Sequence, residues 1–537
     1  MRLRLSRSFL ATGLALGAAL LASTALAQEK VLRVAMTVAD IPLTTGQASQ
    51  GGEGTRFIGL TLYDALVNWD LSKADAPSVL RPGLATEWAI DPEDDTRWIF
   101  QLREGVTFHD GSAFTADAVI WNLDKLMKTD SPQYDASQAA QASQWFGQIA
   151  AYEKIDDFTV ALTTRQPDAT LPYQVAGIMY SSPAQWEKLG GDWARFANEP
   201  SGTGPFKLTV LRPRERVELV RNDDYWDPAR VPASDRLVLY AMPDPNTRVA
   251  SLLSGQVDFI EAPSPDSVPR LKSSGMQIVT NVYPHIWPYQ LSHLDGSPFA
   301  DIRVRKAANL AIDREGLVAF LGGLAVPAKG QVYEGHPWFG TPSFEITYDP
   351  EAALALMREA GHGPENPLKV KLLISTSGSG QMQPLPMNEF IQENLTAVGF
   401  EVEFEVFEWE ALRGRRRDGA FADSNVGAHG LNNSWAFWDP NIGLLQTFDS
   451  GFRPPAGFNW GGYSNPEVDR LAAAARVAFD AEEQDALLAQ MHALVVDDAA
   501  WIWVVHDLNP RAMSPKVRGF VQAQNWFQDL TPVYVED

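Results

Sequence analysis

The chain contains no cysteine in 537 residues. That absence removes disulfides, thiolate metal sites and thiol nucleophiles, and with them the residue to which a lipoprotein anchor is attached. Positive charge is also scarce: 44 Lys and Arg stand against 67 Asp and Glu, a net charge of −23. So acidic a surface argues against nucleic acid and anionic membrane as partners. Beyond the N-terminal segment no apolar run approaches the ~20 residues of a membrane span. There is no internal repeat, coiled coil or low-complexity tract.

Catalytic and cofactor motifs are missing too. Ser201–Phe206 is rich in Gly and Pro but lacks the Lys-Ser/Thr of a phosphate loop, and no G-x-G-x-x-G follows a strand. Ser375–Gly380 lacks a nucleophile elbow and reads as the exit of a strand near a cleft. His109, Asp110 and Ser112 are near neighbours in a turn, a spacing that cannot make a triad. The eight His include no H-E-x-x-H and no pair on one helix face, so His285, His293 and His336 read as surface or hinge residues. No enzyme, cofactor or metal site is expected.

What is present begins with Arg2, Arg4 and Arg7 ahead of an apolar run to Leu26, and Ala25-Leu26-Ala27 fits a small-x-small cleavage site. Residues 1–27 are therefore expected to be a cleaved secretory signal, which places the mature chain in the periplasm. Removing them leaves 41 Lys and Arg against 67 acids, a net charge of −26. The remaining 510 residues exceed the ~250–300 that one core supports, so two or three subdomains are expected.

Val31–Met36 reads as a strand. Trp98, Phe100 and Leu102 alternate with Ile99 and Gln101, a strand period. A short Val106–Phe108 strand, the Asp110-Gly111 turn and a helix from Ala116 capped by Thr115 follow. Ile155–Thr164, Lys207–Leu211, Val217–Arg221 and Arg236–Tyr240 read as further strands, and Thr247–Ser254 as a helix closed by Gly255. Phe400, Val402, Phe404 and Val406 alternate with Glu401, Glu403 and Glu405, one face dry and one wet. Asn465-Pro466 and Asp480 with Glu483 open two C-terminal helices.

The order RPGLA (residues 81–85), W-x-F-x-L-R-x-G-V-x-F-H-D-G (98–111) and F-T-A (114–116) resembles the family 5 extracellular solute-binding proteins, the peptide/nickel-type receptors of ATP-binding-cassette importers. The resemblance returns at Gly202–Phe206, Arg248–Ile260, Pro298–Glu315, Tyr348–Gly361 and Pro515–Phe520, so it covers nearly the whole mature chain in one order. It implies an α/β fold of the type II periplasmic-binding-protein kind, two lobes joined by a two-strand hinge, with an extra subdomain inserted in the first lobe. Lobe I is expected at 28–58, 201–284 and 507–537, the extra subdomain at 59–200 and lobe II at 285–506. The chain should cross near Val282–Tyr289 and return near His506–Arg511. A monomer that closes on a small molecule or peptide and hands it to an inner-membrane permease is implied.

Asn432–Pro440 is the sharpest candidate for ligand contact. Trp435, Phe437 and Trp438 fall among amides and Asp439 with neither a helix nor a strand period. Rings supply apolar area with orienting edges, which suits a cleft around an organic ligand. The resemblance adds a departure: peptide-binding relatives carry an Asp a few residues before the Asp-Pro that pairs with the ligand's α-amino group, and registering on Asp439-Pro440 puts Ala436 there. Losing such a charge-assisted bond, ~1.5–3 kcal/mol, weakens binding of a free-amine peptide tens of fold. A non-peptide organic (sugar, opine, aromatic) or a metal chelate is therefore a second reading, and a periplasmic chaperone or hydrolase a third. Trp287 and Tyr289, with Tyr283, are candidates for the cleft floor. The polar loop Thr44–Glu53, through Gln47 and Glu53, is a candidate wall. The basic run Arg413–Arg417 reads either as a solvated face or as an anchor for a ligand carboxylate.

Overall fold

The computed structural model describes residues 29–377 and 383–536. The signal segment 1–27 and the end of Ser375–Gly380 lie outside the described residues. Two seven-stranded sheets define two lobes. In the first, the strands run in the order 277–279, 511–513, 259–261, 31–36, 236–241, 216–221, 206–212. Val31–Met36 lies in the middle of it, parallel to Arg236–Ala241, and every residue from Val34 to Met36 is buried. In the second, the path is 325–327, 501–507, 285–291, 430–432, 368–375, 400–407, with Trp435–Ala436 joined to 285–291 from the side.

The chain passes from the first sheet to the second between Val279 and His285, and back between Asp507 and Arg511. His285–Leu291 and Trp501–Asp507, the strands entered and left, pair antiparallel. The two crossing segments are themselves tied, with Asn281 N–H donating to the Leu508 carbonyl at 3.1 Å and Tyr283 Oη to Asp507 Oδ2 at 3.2 Å. Two short adjacent connections of this kind form a hinge.

A separate four-stranded antiparallel sheet, 85–91, 94–102, 159–164, 149–156, carries the helices Ala116–Met127 and Ala136–Phe146, and its apolar core runs on into that of the second lobe. Two local expectations are corrected here. Val106–Phe108 is not a strand but a turn closed by one bridge, Thr107 to Ala113, because Asp110 and Gly111 reverse the chain at once. Ile155–Thr164 is not one strand: Asp156 accepts from Phe158 N–H and folds it into a hairpin. Thr115 does precede the helix, but its hydroxyl makes no cap bond.

The Gly202-Thr203-Gly204 stretch packs on Leu62 of the first lobe's core and accepts from His109 N–H of the subdomain at 2.8 Å through the Gly202 carbonyl. A Cβ on Gly202 would stand 2.0 Å from the Leu62 carbonyl oxygen and one on Gly204 2.4 Å from the Leu62 carbonyl carbon, so only glycine permits the approach. No helix among the described residues is long and apolar enough to cross a membrane.

Candidate functional site

A cavity of about 110 Å³ opens where the lobes meet beside the hinge. Gln50, Gly51, Gly52 and Trp526 line it from the first lobe. From the second come His285 at the hinge, Trp409, Arg413 and Arg416 of one helix, and the segment Asn433–Ala436 with Trp438 and Ile442. Among the described residues, none that lines it is an acid.

Each side chain is held there by its local structure. Trp435–Ala436 pairs with Ile286 and His285, which fixes that segment against the hinge strand. The Trp435 indole N–H donates to the Ile442 carbonyl at 3.1 Å, so its polar handle is satisfied inside the lobe and the ring is left as a surface. Trp438 stands 6.1 Å from Trp526 across the lobe boundary and 6.0 Å from Trp145 of the extra subdomain. His285 packs 4.6 Å from Trp526 and Tyr283 stacks on it at 5.5 Å. Burial lowers the His285 pKa against the opposing pull of Asp507, 3.7 Å away. A row of indoles therefore joins all three parts of the molecule.

The helix Trp409–Asp418 presents Trp409, Arg413 and Arg416 at i, i+4 and i+7, one face, to this space. The Arg416 guanidinium lies 4.7 Å from the Trp435 ring centre and 5.4 Å from that of Phe458. Arg413 pairs with the exposed Glu410 at 2.9 Å and reaches to 3.9 Å of where a Gly51 side chain would begin, on the opposite lobe.

Of the residues singled out in the sequence, Trp435, Ala436, Trp438, Arg413 and Arg416 line the cavity, as do Gln50–Gly52 of the polar loop. Phe437, Asp439, Trp287, Tyr289, Gln47 and Glu53 are placed elsewhere, and each placement has a cause. Phe437 turns into the core against His506 and His336 at 5.7 and 5.9 Å, its N–H bonded to the Pro284 carbonyl. Asp439 is buried and accepts from Ile442 N–H at 2.9 Å, opening the next helical turn. Burial raises it to about 6, with the Ile442 and Asn441 N–H groups and the Trp438 indole pulling the other way. Trp287 and Tyr289 fill the core of the second lobe, Tyr289 donating to Asn388. Gln47 is buried among Gly177 and Met179 backbone groups of the extra subdomain. Glu53 is paired with Arg56 and accepts from Thr37 Oγ1 at 2.6 Å, and Arg56 is shared with Glu261, which also binds Arg511 at 2.8 Å. This closed quartet beneath the cleft positions the turn that presents Gln50–Gly52.

Trp526, His285 and Trp409 are lining residues that sequence reasoning did not assign to ligand contact, whereas Arg413 and Arg416 belong to the basic run for which a ligand-carboxylate anchor was one of two readings. For the helix a signal existed, since a Trp and two Arg share one face. For Trp526 none did, because nothing local says that a C-terminal ring reaches the Gly52 backbone.

The residues 79–461 match the family model described as "Bacterial extracellular solute-binding proteins, family 5 Middle". The chain is 27% identical to Heme-binding protein A of Haemophilus influenzae over 88% of this chain and 86% of that one. It is 29% identical to Glutathione-binding protein GsiB of Pectobacterium atrosepticum over 87% and 90%. Among solved structures, the ABC transporter-associated periplasmic binding protein DppA from Helicobacter pylori, in complex with peptide STSA, superposes with a TM-score of 0.79 at 22% identity, covering 95% of this chain and 99% of that one. The same two-lobed arrangement is thus shared at low identity, and the protein belongs to the bacterial extracellular solute-binding proteins, family 5.

Proposed function

We propose that this chain is the periplasmic receptor of an ATP-binding-cassette importer, capturing a small organic solute or peptide between its lobes without altering it. The carrying observation is the composition of the cavity: lobe I gives Gln50–Gly52 and Trp526, lobe II gives Trp435, Ala436, Trp438 and the Arg face, and both chain crossings lie alongside. A ligand in that space touches both halves, so its binding energy favours closure. Lobe I is taken as 28–58, 201–284 and 507–537 and lobe II as 285–506, with 59–200 as the extra subdomain. The signal segment 1–27 directs export, the receptor works as a monomer, and its closed face is read by an inner-membrane permease.

Relatives named for haem, glutathione and a tetrapeptide share the fold, so the family supports an organic ligand in general. Ala436 favours the non-peptide branch, because it faces the cavity where a peptide receptor of this kind would place a carboxylate for the α-amino group. Trp435, Trp438 and Trp526 make intrinsic fluorescence a direct reporter. Titration with a cognate solute should shift the emission and raise the melting temperature together. An unchanged spectrum and melting temperature across a broad panel of peptides and metabolites, with no molecule retained by protein isolated from periplasm, would overturn the receptor reading.

A further inference from the structure

The charge of the cleft is the reverse of the charge of the molecule. The chain carries a net charge of −23, yet the ionisable residues lining the cavity are His285, Arg413 and Arg416. Arg416 is held there without a counter-ion. Of the other arginines of this helix, Arg413 pairs with Glu410 and Arg415 with Glu405, while Arg417, which does not line this cavity, forms no ion pair among the described residues. Among the described residues Arg416 forms no ion pair, and its Nε has no hydrogen-bond partner. Its plane is instead fixed between Trp435 and Phe458, which orients a guanidinium without neutralising it. Burial, then the like charges of Arg413 and Arg417, lower its pKa to about 9.

A second space of about 420 Å³ lies on the other side of the same arginines, bounded by Gln141–Gln148 of the extra subdomain and by Pro455–Phe458. Arg413 and Arg416 line both spaces. A planar, desolvated guanidinium with free donors matches a carboxylate. With Ala436 in the wall and no acid in the lining among the described residues, no carboxylate there compensates a ligand ammonium.

On the receptor reading above, we propose that the solute is an organic carboxylate whose acid group is held by Arg416 and Arg413, and which carries no free ammonium group, such as an N-blocked amino acid or peptide or a polycarboxylic acid. The aromatic lining takes its apolar part and the outer space allows it to extend.

The test has two arms. Native mass spectrometry of the mature protein taken from periplasm identifies the retained molecule, and calorimetry measures it with its amidated form, together with acetyl-Ala-Phe, Ala-Phe, Ala-Phe-amide and acetyl-Ala-Phe-amide. The expected result is a retained acid whose amide binds about ten- to hundredfold more weakly, the size of a charge-assisted hydrogen bond. Arg416→Gln should erase that preference and Arg416→Lys restore part of it. Arg413→Gln, at a position that stacks on no ring among the described residues, covers the case in which Arg416→Gln folds poorly and should weaken the acid alone. Glu410→Gln, which releases Arg413 from its pair, should tighten it. A retained neutral or cationic molecule, or an acid indifferent to the Arg413 substitution, overturns the carboxylate inference and leaves the receptor intact. No retained molecule and no binding by any probe overturns both.

Discussion

The Trp438 and Trp526 rings stand 6.1 Å apart at an interplanar angle of 51°, one from each lobe. They are separated by 88 positions in the chain (526 against 438) and by the second crossing of the hinge. Such a tilted pair is worth about 0.5–1.5 kcal/mol beyond the area it buries, and it forms only when the lobes approach.

Trp526→Ala should therefore weaken closure as well as remove a reporter. We expect the ligand-induced emission change to fall and affinity to drop about tenfold, with a stability loss of about 3–5 kcal/mol for a buried indole. Denaturant unfolding and calorimetry on the same variant separate the two effects.

Gly52 is as exacting a position as the ring above it. A Cβ there would lie 1.9 Å from Trp526 Nε1, so Gly52→Ala must push the indole out of the cleft. The expected outcome is an overpacking cost of about 1–3 kcal/mol together with a red-shifted spectrum in the absence of ligand.

Glu53→Gln should act on folding and not on ligand choice. It leaves Arg56 and Arg511 sharing only Glu261 in a fully buried quartet. Breaking one partner of a buried ion pair costs about 3–5 kcal/mol. Urea unfolding should show that loss, and the ranking of ligands should stay as in the parent protein.

Acid should destabilise the protein through its buried imidazoles. Burial holds His336 and His506 at about 3 and His492 at about 4, below the ordinary value near 6.5. Because these values are depressed in the folded state, the unfolded chain takes up protons first. The stability they protect is complete above pH 6.5 and is lost as the pH falls toward 3–4. Asp439 works in the opposite sense. Its carboxyl is raised to about 6, so ionising it as the pH rises through that value costs stability. Asp439→Asn should therefore raise stability at neutral pH, by about 1–3 kcal/mol, and leave acid unfolding dominated by the histidines. Thermal melts between pH 4 and 8 of both proteins check the two signs.

Elements governed by neighbours in sequence were legible in advance. Phe400–Phe407 lies within one residue of its expected end because alternating Phe, Val and Glu permit one pleat orientation only. Pro466–Arg476 and Ala481–Asp497 begin where Asn465 and Asp480 cap them, each side chain accepting from a backbone N–H of the first turn. The aromatic segment at 435–438 was legible as unusual, but not which ring faces the ligand. Phe437 and Trp438 are adjacent and chemically alike, and the backbone bond from Phe437 to Pro284, with the pocket of His336 and His506 around its ring, sends one inward.

Sequence by itself determined the absence of thiol chemistry, the acidic surface, the strands and helices, and the family, since these depend on composition, short-range periodicity and an ordered run of local motifs. Only the tertiary structure decided the cleft. Gln50–Gly52, Trp409, Arg413, Arg416, Trp435 and Trp526 come from segments far apart in the chain, and the two crossings beside Tyr283 and Leu508 bring them together. Glu53 shows the same point in reverse: its charge was visible in the sequence, but the buried arginine that consumes it was not, because ion pairing is set by distance in space.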